Sequence, residues 1–281
     1  MAYPWQDKTG IVSPVRSAAL VIASLPVVWL LWRALAKSLG PRPYTAAILE
    51  TGDWALYLLL ITLLITPLRR ILHWPRLIAA RQVFGLAAFA YAALHLALHV
   101  TEQKFNVSNI LSEIFYRFYL GLGMIALIGL TILAATSGEK KVRSLGPERW
   151  VNIHKLIYLI VPIALFHFFL KAKVEISTPI LLTGCYLWLM GWRALRRRDS
   201  DTPLVLAGLT IAATLLTLAT EVVWLNLKAG IPVSDTLAQV FEFDYEIKSL
   251  WYVLAAGLTL AAAQHFTNLR RGSRREPATR A

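Results

Sequence analysis

The chain has 281 residues, 57% of them hydrophobic, and yet carries a formal net charge of +13. A soluble domain is about 45–50% apolar with its charges dispersed, whereas here the charges cluster between long apolar runs, which excludes an ordinary soluble fold. The Lys and Arg excess does not point to nucleic acid either, because it tracks alternate loops rather than one groove or helix face.

A helix crossing a bilayer core of about 30 Å needs about 20 apolar residues. Eight runs meet or approach that length: Val15–Trp32, Trp54–Leu68, Gln82–Val100, Phe115–Ala135, Val151–Leu170, Thr178–Trp192, Leu204–Leu225 and Leu250–Leu269. No small-residue cleavage site follows the first run, so it is expected to stay as a helix rather than leave as a signal peptide. The second and sixth runs are short. Breakers and charges separate the runs, among them Gly40-Pro41-Arg42-Pro43, Thr66-Pro67-Leu68-Arg69-Arg70 and Arg196-Arg197-Arg198. Cys185 is the only cysteine, so it forms no intrachain disulfide and is expected inside the sixth helix as a small hydrophobe. Glu221 ends the seventh run, where its carboxylate either relays protons or turns to interfacial water. The loop that follows is acidic, with Asp235, Glu242, Asp244 and Glu246.

The expected architecture is an all-α polytopic transmembrane helix bundle of about eight helices. With the N-terminus inside, most of the 29 Lys and Arg fall on cytoplasmic segments, as translocation favours, so both termini are expected in the cytoplasm and the acidic loop outside. The expected organisation is a core over 1–202, two additional helices over 203–269 and a basic cytoplasmic tail over 270–281. Neither a Gly-x-Gly-x-x-Gly pattern nor a P-loop occurs, and no soluble stretch is long enough for a nucleotide-binding module.

Five of the six histidines, His95, His99, His154, His167 and His265, fall within or at the edge of the spans; His73 is in a loop. Ionisable groups at membrane depth are costly and mark a functional site unless they are packed or solvated. His95 lies about 21 Å along its helix from Arg81, and His167 about 25 Å along its own from Trp150. The two helices run in the same direction, so the pair sits at one level in the outer half. Two imidazoles at one level on neighbouring helices are the donor set of a six-coordinate heme b. His154 precedes His167 by about 20 Å along the same helix and therefore serves a different, inner site. There the matching positions on the third helix are Arg81 and Gln82, not histidine, and His265 is a speculative alternative ligand. His99, one turn beyond His95, is an alternative to it.

A carrier in the outer half is too far from the cytoplasmic face for direct electron transfer across a core of about 30 Å. A flavin or quinone beside Arg81, His154 and Trp150 would bridge the gap, with the Arg81 guanidinium binding a phosphate or a carbonyl. The competing role for Arg81 is a lipid-phosphate anchor.

The succession Thr51-Gly52-Asp53-Trp54-Ala55-Leu56, Ile65-Thr66-Pro67-Leu68, Arg81 to Gly85-Leu86 and Leu94-His95 resembles the heme-binding subunits of the protein-methionine-sulfoxide reductase system, the MsrQ family. So do Arg117-Phe118-Tyr119, Thr136-Ser137, Leu145-Gly146, Trp150, Leu156, Tyr158, His154 and His167. The resemblance covers roughly 20–192. It implies a ferric reductase-like transmembrane fold in the bacterial cell inner membrane, with heme b and FMN as cofactors and the quinone pool as electron source. The implied partner, in a heterodimer, is a periplasmic molybdopterin-containing catalytic subunit that reduces methionine sulfoxide, so the substrate chemistry lies outside this chain. It also implies that His95, His154 and His167 are the heme-associated histidines. The chain departs from the family where Arg117-Phe118-Tyr119 replaces the common Arg-Pro-Tyr, and in the helices beyond Thr202. The alternatives are a stand-alone ferric or quinone reductase and, from another class, a transporter or structural membrane subunit.

Overall fold

The structure is a computed structural model that describes residues 5–6, 10–172, 175–195, 202–244 and 246–274, with side chains up to 270. Arg196-Arg197-Arg198 and the expected basic tail beyond 274 lie outside the described residues. The all-α expectation is met: the described residues form helices without a strand, apart from an isolated bridge between Gln6 and Val12.

The chain divides into two compact units, Met1–Ile65 with Arg76–Lys171, and Thr66–Pro75 with Ala172–Ala281. The first is built from α1 (Pro14–Leu35), most of α2 (Pro43–Ile71), α3 (Ala80–Glu102), α4 (Val107–Tyr116), α5 (Phe118–Ala135), α6 (Glu139–Leu145), α7 (Pro147–His154) and α8 (Ile157–Ala172). The second contains the last turn of α2 with α9 (Ser177–Leu195), α10 (Pro203–Ala229), α11 (Val233–Ala238) and α12 (Ser249–Arg274).

Among the described residues six helices are long and apolar enough to cross a membrane: α1, α2, α3 with the turn before it, α5, α7 with α8, and α10. The chain is therefore a multi-pass membrane protein. The sixth and eighth expected spans also form helices, α9 and α12, but these are diluted by Thr178, Pro179, Thr183 and Arg193 in one and Gln264, His265 and Asn268 in the other. The second expected span is much longer than its apolar run, 29 residues in α2, because Pro43 supplies a favourable first-turn residue well upstream. Two expected spans are broken. Arg117, with an extended backbone, caps both α4 and α5. Lys155 and Leu156 interrupt the fifth through tightened turns, such as Tyr158 N–H to the Lys155 carbonyl at 3.0 Å.

Helix starts follow from local chemistry. The Ser13 hydroxyl accepts from Arg16 N–H ahead of Pro14, the Asn106 side chain accepts from Asn109 N–H, and the Thr202 hydroxyl accepts from Val205 N–H ahead of Pro203. In the first unit α1 packs on α3, and α5 on α3 and α4; in the second, α10 packs between α9 and α12. Buried hydroxyls return to their own helices: Thr51, Thr62, Thr210, Thr214 and Thr217 each donate to the carbonyl four residues earlier at 2.7–2.8 Å. In hydrocarbon there is no water to satisfy them otherwise.

Candidate functional site

His95 on α3 and His167 on α8 meet inside the first unit, with ring centroids 6.4 Å apart and planes at 89°. Each ring is tied by one nitrogen. His95 Nδ1 lies 2.7 Å from the Ile48 carbonyl of α2, and His167 Nδ1 lies 2.6 Å from the Tyr119 carbonyl of α5. A carbonyl oxygen only accepts, so each Nδ1 must carry its proton and each Nε2 keeps a lone pair. Neither Nε2 has a hydrogen-bond partner among the described residues. An imidazole nitrogen binds a transition metal at about 2.0–2.1 Å, so two rings on opposite sides of one metal have centroids roughly 6 Å apart. The observed spacing, tautomers and orienting carbonyls fit a bis-imidazole metal site, in which each ligand is also held through its other nitrogen.

His154 closes α7 and takes no part in this pair. Its ring stacks on Trp150 at 4.1 Å, its Nδ1 faces the Trp150 carbonyl at 3.1 Å, and its Nε2 lies 3.4 Å from the Ser137 hydroxyl. It lines a cavity of about 800 Å³ in the first unit, together with Arg81, Arg16, Arg143, Gln82 and Trp150. Leu59, Leu86, Leu130, Leu133 and Ile157 form its apolar wall. Arg16 donates to the Gln82 side chain at 2.6 Å, Gln82 donates to the Ser137 carbonyl at 2.9 Å, and Trp150 Nε1 donates to the Thr136 carbonyl at 3.1 Å. The polar rim is thus a connected frame, and the volume lies in the range of ligand and cofactor pockets. Arg143 is paired with Glu139, which also lines the cavity, at 3.4 Å, so the arrangement suits a planar, largely apolar group that carries an anionic tail toward Arg16 and Arg81.

The remaining histidines stand apart from both sites. His99 lies one turn beyond His95 as expected, but its Nε2 faces Glu113 of α4 at 4.0 Å, and Glu113 is itself paired with Arg117 at 3.0 Å. His265 belongs to the second unit, exposed on α12 with its ring 6.1 Å from Phe266, whereas the cavity beside His154 is lined by first-unit residues. His73 pairs with Asn268 at 3.2 Å. Among the described residues no cluster of three or more His, Cys, Asp or Glu side chains could hold a metal ion.

Sequence reasoning brought out the two principal histidines and Arg81 but missed the carbonyls of Ile48 and Tyr119, because backbone groups carry no residue signature. It also missed Arg16 and Arg143, because basic residues near the ends of membrane helices are routine.

A model of the ferric reductase like transmembrane component family matches residues 51–165. That stretch contains His95 and His154 and ends two residues before His167. A Caulobacter vibrioides protein is 41% identical over 169 residues, 60% of this chain and 80% of that relative. A Rhodospirillum rubrum protein is 36% identical over 189 residues, 66% of this chain and 91% of its own. A Deinococcus radiodurans protein is 37% identical over 157 residues, 56% of this chain and 78% of its own. Each of these is a protein-methionine-sulfoxide reductase heme-binding subunit MsrQ. No solved structure matches the chain. Similarity of this extent over most of the length of several relatives makes the chain a member of the MsrQ family, the heme-binding subunits of protein-methionine-sulfoxide reductases.

Proposed function

We propose that this chain is the electron-carrying membrane subunit of a periplasmic methionine-sulfoxide reductase, resident in the bacterial inner membrane. His95 and His167 hold a heme b between α3 and α8. The single observation that carries this reading is the facing pair of rings at 6.4 Å, each with its Nδ1–H committed to a helix carbonyl. When bound, the heme supplies a one-electron carrier. The protein fixes both ligands before the metal arrives and surrounds them with apolar helices that exclude water.

The cavity beside His154 is the entry side of the same pathway. Its arginines would hold the phosphate of an FMN or the carbonyl of a quinone, and the Trp150–His154 stack offers a flat aromatic wall for either ring system. With both groups bound, the chain would place a carrier for electrons from the quinone pool at the inner cavity and a heme between His95 and His167 facing a molybdopterin-containing catalytic partner, on which the sulfoxide would be reduced.

The test is an oxidised and dithionite-reduced absorption spectrum of the purified protein, with heme and flavin quantified per chain. A b-type spectrum, at least one heme per chain and flavin released on denaturation are expected. A chain with no Soret band overturns the reading and favours a transporter or structural subunit. Heme without flavin overturns only the assignment of FMN to the inner cavity.

A further inference from the structure

We propose that Gly52 and Gly123 are positioning residues for the two axial histidines. Each omits the Cβ that would keep an imidazole off a helix backbone, and so lets its Nδ1–H reach a carbonyl inside that helix. The inference rests on the heme reading above and adds to it the residues that set how strongly each histidine donates to iron.

The carbonyl that receives His95 belongs to Ile48, and the residue four positions later is Gly52; the carbonyl that receives His167 belongs to Tyr119, and the residue four positions later is Gly123. In an α-helix a carbonyl already pairs with the N–H four residues on. The Thr51 hydroxyl of the same helix also lies 3.0 Å from the Ile48 carbonyl, but an imidazole arriving from a neighbouring helix comes over the Cα of Gly52 or Gly123, where a side chain would stand. A Cβ on Gly52 would lie 3.0 Å from His95 Nδ1 and 3.2 Å from its Cε1. A Cβ on Gly123 would lie 3.0 Å from His167 Cε1 and 3.1 Å from its Nδ1. All four distances are below ordinary contact. Neither ring can yield, because one edge is held at the carbonyl and the other is required at the metal.

The same device thus appears twice, on α2 and on α5, in unrelated local sequence. Other glycines of the first unit do not share it. Gly85 faces a Thr62 methyl at 3.7 Å, Gly121 faces the Ile114 carbonyl at 3.4 Å, and Gly129 faces Ile160. Close helix packing explains small residues in membrane helices generally, but at Gly52 and Gly123 the nearest atoms all belong to the imidazoles.

A hydrogen bond from Nδ1–H to a carbonyl raises imidazole basicity and favours the ferric state. Alanine at either position must lengthen that bond or turn the ring. The expected results for Gly52→Ala and Gly123→Ala are a positive shift of the heme midpoint potential, an altered low-spin ferric EPR signal, and about 10–100-fold weaker hemin binding, the usual cost of disturbing a second-layer partner. Gly121→Ala, on the same helix as Gly123, is expected to match wild type in all three.

A double-mutant cycle separates ligand positioning from simple misfolding. With the ring removed by His95→Ala, adding Gly52→Ala should cost no further accumulation or thermal stability, even if Gly52→Ala alone accumulates poorly. A Gly52→Ala defect that persists in the His95→Ala background overturns the inference. So do wild-type potential, EPR signal and hemin affinity in both glycine variants. A wild-type protein without heme overturns the heme reading and this inference together, whereas a heme-bearing wild type with unaltered variants overturns this inference alone.

Discussion

At the residue scale the two histidines differ from ordinary buried polar groups in having one nitrogen fully spent and the other left open. A packing histidine in a helix bundle gains by satisfying both nitrogens, so two facing rings that each leave Nε2 open are what the proposed ligand role requires. His95→Ala and His167→Ala are each expected to remove most of the outer-heme absorbance while the protein still inserts, checked by heme content per chain in purified membranes. Retention of full heme by both variants would exclude the pair as ligands. Arg81 makes a separate prediction. A charge-assisted hydrogen bond contributes about 1.5–3 kcal/mol, so Arg81→Ala is expected to lose about tenfold or more in retention of the inner cofactor and to slow heme reduction without removing the heme. Stopped-flow reduction kinetics with unchanged rates would leave Arg81 a lipid anchor.

At the element scale, α1 shows how a membrane helix tolerates a defect. Pro26 lies inside it, and the Tyr91 hydroxyl of α3 inserts beside it, donating to the Ala23 carbonyl and accepting from Val27 N–H, both at 2.9 Å. These are the two groups that a regular helix would pair with each other, so the tyrosine bridges an opened turn. Tyr91→Phe leaves both without that partner in an apolar setting, at about 1–3 kcal/mol for each buried group left unsatisfied. It should lower the unfolding temperature in detergent without changing the heme spectrum, and an unchanged Tm would mean that the turn recloses. Much of this element layout was legible in the sequence, because apolar runs near 20 residues long have few alternatives. The interruptions at Arg117 and Lys155 were not, since neither residue is a helix breaker. The meeting of His95 and His167 was legible from helix direction and rise alone. Their carbonyl partners and glycines were not, because a glycine in a membrane helix is too common to single out.

At the scale of the whole molecule, the crossing of α9 and α12 decides on which side the acidic loop lies. If only the six most apolar helices span, α10 starts outside, Arg193 faces the periplasm, and the loop around Asp235 is cytoplasmic, against the positive-inside tendency. Packing argues for eight. Thr210, Thr214, Thr217 and Glu221 form a buried polar stripe on α10. Trp188 of α9 donates to the Thr210 hydroxyl at 3.0 Å, and Gly184 of α9 and Gly257 of α12 lie against Thr217 and Thr210. Glu221 pairs with Lys248 at 3.2 Å, just before α12. A stripe of this kind is stable in hydrocarbon when neighbouring helices cover it at the same depth, so α9 and α12 are expected to cross with α10. Ser234 is exposed on α11, in the connection between α10 and α12, and in a Cys185→Ala background Ser234→Cys is expected to react with a membrane-impermeant maleimide added to intact spheroplasts. Labelling only after the membrane is broken would place the loop inside, leave six spans, and require another cover for the threonine stripe of α10.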